Sequence, residues 1–225
     1  CDLSSAYHHV EMHPDGLSFL GFERGGEYFR FTVLPFGLST APWLFTKVFG
    51  HCARFLRSPG LSLGILSYLD DVILAALTAR GALGAAQVIL SVLRRFGWLI
   101  HPTKCVGTSA AVQVFQALGT IVNLATQTFA VPPDRVKRIV EAAQALATGH
   151  PSVPVRSVAR LKGLLAATWV STGLAARIRT RALDAVIESR PRPAANSGSA
   201  ARRSWASQVI VSPAAREEGL WWVRF

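Results

Sequence analysis

Two adjacent aspartates, Asp70 and Asp71, interrupt an otherwise apolar stretch, Gly64-Ile65-Leu66-Ser67-Tyr68-Leu69-Asp70-Asp71-Val72-Ile73-Leu74-Ala75, at the point where a hairpin would turn. A two-residue turn favours Asn-Gly or Asp-Gly because its central residues need positive φ; two carboxylates add repulsion without supplying glycine. The pair is therefore either a solvated acidic turn or a place where a hard divalent cation such as Mg²⁺ meets carboxylate oxygen and substrate phosphate. A third carboxylate, Asp2 in Asp2-Leu3-Ser4-Ser5-Ala6-Tyr7, is expected at the end of an apolar segment whose beginning lies outside the chain, and by itself would serve equally as a helix cap. Together, Asp2, Asp70 and Asp71 are the set that two-metal phosphoryl transfer requires, carboxylates holding two cations roughly 3.5 to 4 Å apart. One ion would activate a 3′-hydroxyl and the other the leaving pyrophosphate.

Those acids need a scaffold, and the 225 residues, half of them apolar and 16% charged, suffice for one large domain or a domain plus a smaller helical one. Period-2 patterning dominates the first part: Phe19 to Glu23 and Glu27 to Leu34 flank Arg24-Gly25-Gly26, which predicts a hairpin with a glycine turn. Pro42 then opens a helix whose core face is Phe45, Val48, Phe49, Cys52, Phe55 and Leu56, closed by Ser58-Pro59-Gly60. A second helix carries Leu83, Ala86, Leu90, Leu93 and Phe96 on one face and ends at Gly97. After Val131 the spacing predicts helices over Pro133 to Ala147, Val155 to Trp169 and Leu174 to Glu188, followed by a Pro/Ala/Gly/Ser-rich linker.

Charge separates the two parts. The formal net charge is +11, and 20 of the 24 basic residues are Arg, the side chain best suited to forked phosphate contacts. Residues 1 to 150 hold 12 basic against 9 acidic residues, whereas residues 151 to 225 hold 12 against 4, so polyanions are the first partners to consider. The apolar run from Leu61 to Leu77 is no membrane span, because Asp70 and Asp71 lie inside it at about 2.5 to 3.5 kcal/mol each. Three cysteines, at positions 1, 52 and 105, make neither a disulfide framework nor a zinc ribbon and fit an intracellular setting. His8, His9 and His13 repeat no zinc spacing and are expected to be structural or exposed.

The order of these blocks resembles the palm and thumb of a reverse transcriptase. The resemblance runs through Asp2 to Tyr7, Leu34-Pro35-Phe36-Gly37-Leu38-Ser39-Thr40-Ala41-Pro42, Tyr68-Leu69-Asp70-Asp71, Phe96-Gly97-Trp98 through Lys104, and Phe115-Gln116-Ala117-Leu118-Gly119. The closing stretch, with Ser204-Trp205, Val211-Ser212-Pro213 and Leu220-Trp221-Trp222, is most similar to DIRS-type retrotransposons. The resemblance implies an α+β fold: an antiparallel palm over residues 1–131, a helical thumb over 132–190, a linker over 191–203, and from 204 to 225 the start of a connection or ribonuclease H-like region. Fingers and most of the first palm strand would lie outside the chain, leaving an unpaired sheet edge and a loosely held Asp2.

The resemblance implies an RNA-directed DNA polymerase using two Mg²⁺ ions, with Mn²⁺ a substitute, deoxynucleoside triphosphates and an RNA or DNA template-primer. Asp2, Asp70 and Asp71 would be the metal ligands and Lys104 would protonate the pyrophosphate. Leu3, Tyr7, Phe36 and Gly37 would meet the incoming nucleotide, with the Tyr7 ring leaving no room for a 2′-hydroxyl. Many retroviral relatives carry Gln where Phe36 stands. Tyr68, Phe115 and Gly119 would meet the primer. Arg156, Arg160, Lys162, Gly163, Arg177, Arg179 and Arg181 would line the template-primer, the cations giving salt-sensitive phosphate contacts. A noncatalytic nucleic-acid-binding relic is the other reading.

Overall fold

The computed structural model describes residues 1–58, 64–101, 103–190 and 205–225. The expected linker and the Pro59-Gly60 helix stop lie outside the described residues. The fold is α+β, with antiparallel strand pairs and helices in two compact units, Cys1–Val112 and Gln113–Phe225. Among the described residues no helix is long and apolar enough to cross a membrane.

In the first unit, β1 (Gly21–Arg24) and β2 (Glu27–Arg30) pair antiparallel, with Arg24 opposite Glu27. Arg24 was expected in the turn, but Gly25 and Gly26 alone take the two positive φ angles, +66° and +83°, so Arg24 stays extended. Phe19 lies not in the strand but at the end of a 3₁₀ turn, Pro14–Phe19. Helix α1 (Ala41–Leu56) buries Ala41, Phe45, Phe49, Cys52, Ala53 and Leu56. Val48 and Phe55, expected on this face, are exposed. The small side chains of Ala41 and Ala53 define a narrower stripe, and Phe55 instead meets exposed Phe96 edge-on at 5.6 Å.

Strands β3 (Gly64–Tyr68) and β4 (Asp71–Ala75) form the hairpin that carries the acids. Helix α2 (Ala79–Arg95) follows, its first turn capped by the Thr78 hydroxyl, which accepts from the Gly81 N–H at 3.0 Å. Its buried face is Ala85, Ile89, Leu90 and Leu93, so the expected Phe96 falls off the stripe. Buried Trp98 closes this core, with ring centroids 5.7 Å from Phe45 and 5.2 Å from Phe49, both edge-on.

The second unit opens with a three-stranded meander, β5 (Val114–Ala117), β6 (Thr120–Asn123) and β7 (Thr128–Ala130). Although the resemblance assigns these strands to the palm, they cluster with the helices. Here β7 packs on the short helix α5, and the Arg135 guanidinium lies over Gly119 while donating to the Ala167 carbonyl at 3.3 Å. The helices are α3 (Pro133–Thr148), α4 (Val155–Ala166), α5 (Trp169–Thr172), α6 (Ala175–Ile178), α7 (Arg181–Glu188) and α8 (Pro213–Arg224).

Two of the expected helices are broken, each beside a buried threonine. The Thr168 hydroxyl donates to the Leu165 carbonyl at 2.7 Å where α4 stops, and Thr180 donates to the Ala176 carbonyl at 2.9 Å between α6 and α7. Such side-chain bonds compete with the helical ladder.

The C-terminal stretch, expected to begin another region, is part of this unit's core. β9 (Gln208–Ile210) pairs with β8 (Ser152–Pro154), and α8 lies against α3. Gly219 permits that approach, since a Cβ there would stand 3.1 Å from the Ala143 carbonyl oxygen. Glu218 accepts from the Ala182 and Leu183 N–H groups at 3.1 Å, satisfying the open end of α7, and Trp222 is buried with its indole N–H on the Arg179 carbonyl at 2.8 Å.

Val155, Val158, Leu161 and Leu165 of α4 are all fully buried in this second core. Leu161→Ala is expected to destabilise the unit by roughly 2 to 5 kcal/mol through lost transfer energy and an unfilled cavity. Hydrogen exchange measures it: amide protection falls in α4 and α8, and protection in α1 persists.

Candidate active site

The hairpin turn consists of Leu69 and Asp70, because Tyr68 and Asp71 pair directly across it. Thus only one of the two aspartates occupies the turn, and Asp71 opens β4. Leu69 supplies the positive φ, +51°, that a glycine would normally take. A bulky residue in this region costs about 1 to 3 kcal/mol and persists where its surroundings over-determine it. The turn thus closes without a glycine and leaves Asp70 half-buried at its tip.

Asp2 joins this hairpin from the other end of the unit. It forms an isolated antiparallel bridge with Asp71, flanked by Leu3 N–H donating to the Asp70 carbonyl at 3.2 Å and Val72 N–H to the Cys1 carbonyl at 2.8 Å. On the opposite edge, His101 N–H donates to the Asp2 carbonyl at 2.9 Å and Ser4 N–H to the Leu99 carbonyl at 2.8 Å. The expected loose acid and open edge are therefore absent at these residues: Asp2 is bonded on both sides. The segment at Leu99–His101 that does this escaped the sequence reading. Residue types there give only a short continuous apolar run after Gly97, Trp98-Leu99-Ile100, which fits a strand and a helix end equally; the alternation of burial, with Trp98 buried, Leu99 exposed and Ile100 half-buried, emerges only in the fold.

Lys104 closes the group electrostatically, its ammonium 3.1 Å from the Asp2 carboxylate, which is 15% exposed. The Asp71 carboxyl is pushed above the usual carboxylate range, first by burial and then by the charges of Asp70 and Asp2, with Lys104 acting in the other direction. Three neighbouring carboxylates and one ammonium leave an excess of negative charge. Among the described residues, however, no group of three or more His, Cys, Asp or Glu side chains is arranged to hold a metal ion. The acids adjoin through their backbones, while the Asp2 carboxylate is turned to Lys104. The donor set, all hard oxygen with uncompensated charge, fits a divalent cation that would take over the role of the ammonium.

Beside the acids, Leu3 is buried and anchors the Asp2 segment through its bridge to Ile100; as a core residue it presents backbone rather than side chain. Tyr7 sits in a 3₁₀ turn, Ala6–His9, with its ring 4.8 Å from Phe36 and 5.4 Å from buried Phe45. Its ring thus touches both a core ring, Phe45, and an exposed one, Phe36. Gly37 has φ +92° and free space around it, so the left-handed backbone, not crowding, calls for glycine. Tyr68 is exposed next to the turn.

The remaining candidates lie in the second unit. Phe115 is half-buried in β5, and Leu118 and Gly119, at φ +49° and +74°, form the turn to β6. Arg156, Arg160 and Gly163 recur along one exposed stripe of α4, and a Cβ on Gly163 would meet nothing, so this face is open to a close neighbour. Lys162 is committed elsewhere, in an ion pair with Asp184 of α7. Arg179 is likewise engaged, stacked 5.2 Å over the Trp221 ring, whereas Arg177 and Arg181 are exposed. Lys162 and Arg179 thus have partners within their own unit while staying open to solvent, and exposed contacts of this kind contribute only about 0 to 1 kcal/mol.

The first unit thus carries an acid-bearing hairpin tip and an aromatic shelf, and the second, helical unit an arginine stripe, within an α+β fold. Residues 1–122 match the reverse transcriptase (RNA-dependent DNA polymerase) family, and the chain belongs to it. It is 27% identical over 104 residues to the retrovirus-related Pol polyprotein from transposon 297 of Drosophila melanogaster, covering 46% of this chain and 9% of that one. It is 37% identical over 76 residues to the Gag-Pol polyprotein of avian leukosis virus subgroup A, covering 34% of this chain and 5% of the polyprotein. The chain thus spans less than a tenth of these relatives. In fold it is similar to a foamy viral protease-reverse transcriptase in complex with an RNA/DNA hybrid, with TM-score 0.64 and 16% identity over 98% of this chain and 26% of that one.

Proposed function

We propose that the chain is the palm and thumb portion of an RNA-directed DNA polymerase that joins deoxynucleotides to a primer 3′-hydroxyl on an RNA or DNA template. The observation that carries this reading is the backbone junction of Asp2, Asp70 and Asp71, held by the Asp2–Asp71 bridge and the bond from Leu3 to Asp70. Asp2, Asp70 and Asp71 would hold Mg²⁺ or Mn²⁺, which when bound lowers the charge on the triphosphate and favours hydroxyl attack. Lys104, in reach of Asp2, is placed to give a proton to departing pyrophosphate once a cation relieves it of its carboxylate. Tyr7 limits space at the sugar, and Phe36 and Gly37 form the neighbouring surface. Phe115 and Gly119 face the primer, and Arg156, Arg160 and Gly163 face the duplex, with Lys162 and Arg179 orienting the helices behind them.

The finer reading is a retroelement of the DIRS type, supported by the closing residues from Trp205 onward. Primer extension on a poly(rA) template by a polymerase containing this chain, with Mg²⁺ and deoxythymidine triphosphate, tests the reading. Synthesis is expected; duplex binding without synthesis would favour the noncatalytic relic.

The stripe on α4 gives a separate expectation. Binding of RNA/DNA duplex by the chain should weaken steeply with salt, and replacing both Arg156 and Arg160 by Ala should lower the slope of log K against log salt by about 2, close to one per phosphate contact. Filter binding across a salt series measures it, and an unchanged slope removes these two residues from the interface.

A further inference from the structure

The site's first strand and the loop that carries Lys104 hold one cysteine each, and the fold brings the two together. Cys1 precedes Asp2, Cys105 follows Lys104, and their Sγ atoms lie 3.2 Å apart across a separation of 104 residues. The Cys105 sulfur also lies 4.0 Å from the Asp2 carbonyl oxygen. Both cysteines are half-buried free thiols, whereas Cys52 is buried in the core with its thiol pushed up by burial. Cys105 further lines a cavity of about 370 Å³ bounded by Leu90, Trp98, Ile100, His101 and Thr108, ample for a small oxidant.

From this juxtaposition we infer that Cys1 and Cys105 are an oxidation site that closes into a reversible disulfide and clamps the Asp2 strand to the Lys104 loop. The oxidant is a peroxide. One cysteine sulfur attacks a peroxide oxygen; the O–O bond breaks, leaving a sulfenic acid and one water. The second sulfur attacks the sulfenic sulfur, forming the S–S bond as the S–O bond breaks and a second water leaves. Two thiols and one hydrogen peroxide thus become one disulfide and two waters, and a dithiol reductant reverses the step by exchange.

A disulfide here ties two segments already joined by the bond from His101 to Asp2 and by the Lys104–Asp2 ion pair. It holds the Asp2 carboxylate beside the ammonium and resists any movement of that strand toward a cation. The bond's formation stands independently of the polymerase reading.

The test treats the whole chain with hydrogen peroxide, alkylates remaining thiols after unfolding, and maps unreduced peptides by mass. The expected result is a linked Cys1–Cys105 peptide lighter than its two parts by two hydrogens, with Cys52 alkylated, and loss of the link on dithiothreitol treatment. In the linked chain the amides of Leu3, Ser4 and His101 should exchange roughly tenfold more slowly, because local opening of the strand is restrained; Cys105→Ser, which leaves Cys1 in place, should show neither link nor slowing. Unlinked sulfinic acids at the two positions, linkage through Cys52, or a Cys1–Cys105 link with unchanged exchange would each overturn the inference.

Discussion

Asp70→Asn in a polymerase containing this chain is expected to lower primer extension on the order of 10³-fold while leaving duplex binding nearly unchanged. The substitution preserves size and the Leu69-Asp70 turn, whose backbone carbonyl accepts from Leu3, so the strand junction survives. What disappears is one negative charge beside Asp71 and Asp2. Stabilisation of transition-state charge by a bound cation is worth several kcal/mol, and each factor of ten in rate corresponds to about 1.4 kcal/mol. Under the proposed reading the duplex is held by the arginines of α4, so its affinity is measured in parallel by filter binding. Wild-type extension by the variant would remove Asp70 from the proposed site. A simultaneous loss of binding would point to unfolding, which the hydrogen-exchange pattern of β3 and β4 distinguishes.

The second large effect concerns sugar selection. Tyr7 packs against both Phe36 at 4.8 Å and Phe45 at 5.4 Å, contacts that restrict its ring. Tyr7→Ala opens that place and is expected to raise ribonucleotide incorporation relative to deoxyribonucleotide roughly 10- to 100-fold, the range a small steric difference in a pocket can discriminate. Tyr7→Phe keeps the ring and should keep the discrimination. Competition between the two nucleotide types on one primer measures the ratio directly. If Tyr7→Ala discriminates as the wild type does, the gate lies at another side chain.

Much of this arrangement was legible in residue order because local signals and tertiary demands agree. Gly25-Gly26 marks a turn through the two positive φ angles it must adopt, Pro42 and Pro133 mark helix starts through their fixed φ, and the apolar spacing of Phe45, Phe49, Cys52 and Leu56 marks a buried face. The departures occur where a neighbour decides. Val48 and Phe55 are as apolar as Phe45, yet small Ala41 and Ala53 set the line of closest approach. Thr168 and Thr180 look like ordinary helical residues until they are buried, when their hydroxyls turn to the preceding carbonyls.

The sequence by itself determined which chemistry was available: three aspartates, one lysine within the Asp2 block's reach in family order, a tyrosine, and a strongly basic second half. Those are properties of composition and spacing; the family assignment rests on the match over residues 1–122. Only the tertiary structure decided which of these groups act on one another. Strand pairing between residues 1–3 and 70–72, distant in sequence, sets Asp2 beside Asp71 and leaves Asp70 at a turn that Leu69 sustains at φ +51°. It also set Lys162 beside Asp184, Arg179 over Trp221, and Cys1 against Cys105. The physical reason is common to all of these pairs. Periodicity reports which face of an element is buried, whereas the partner across a strand bridge, an ion pair or a sulfur contact is chosen by chain segments far away, through packing that no local window contains.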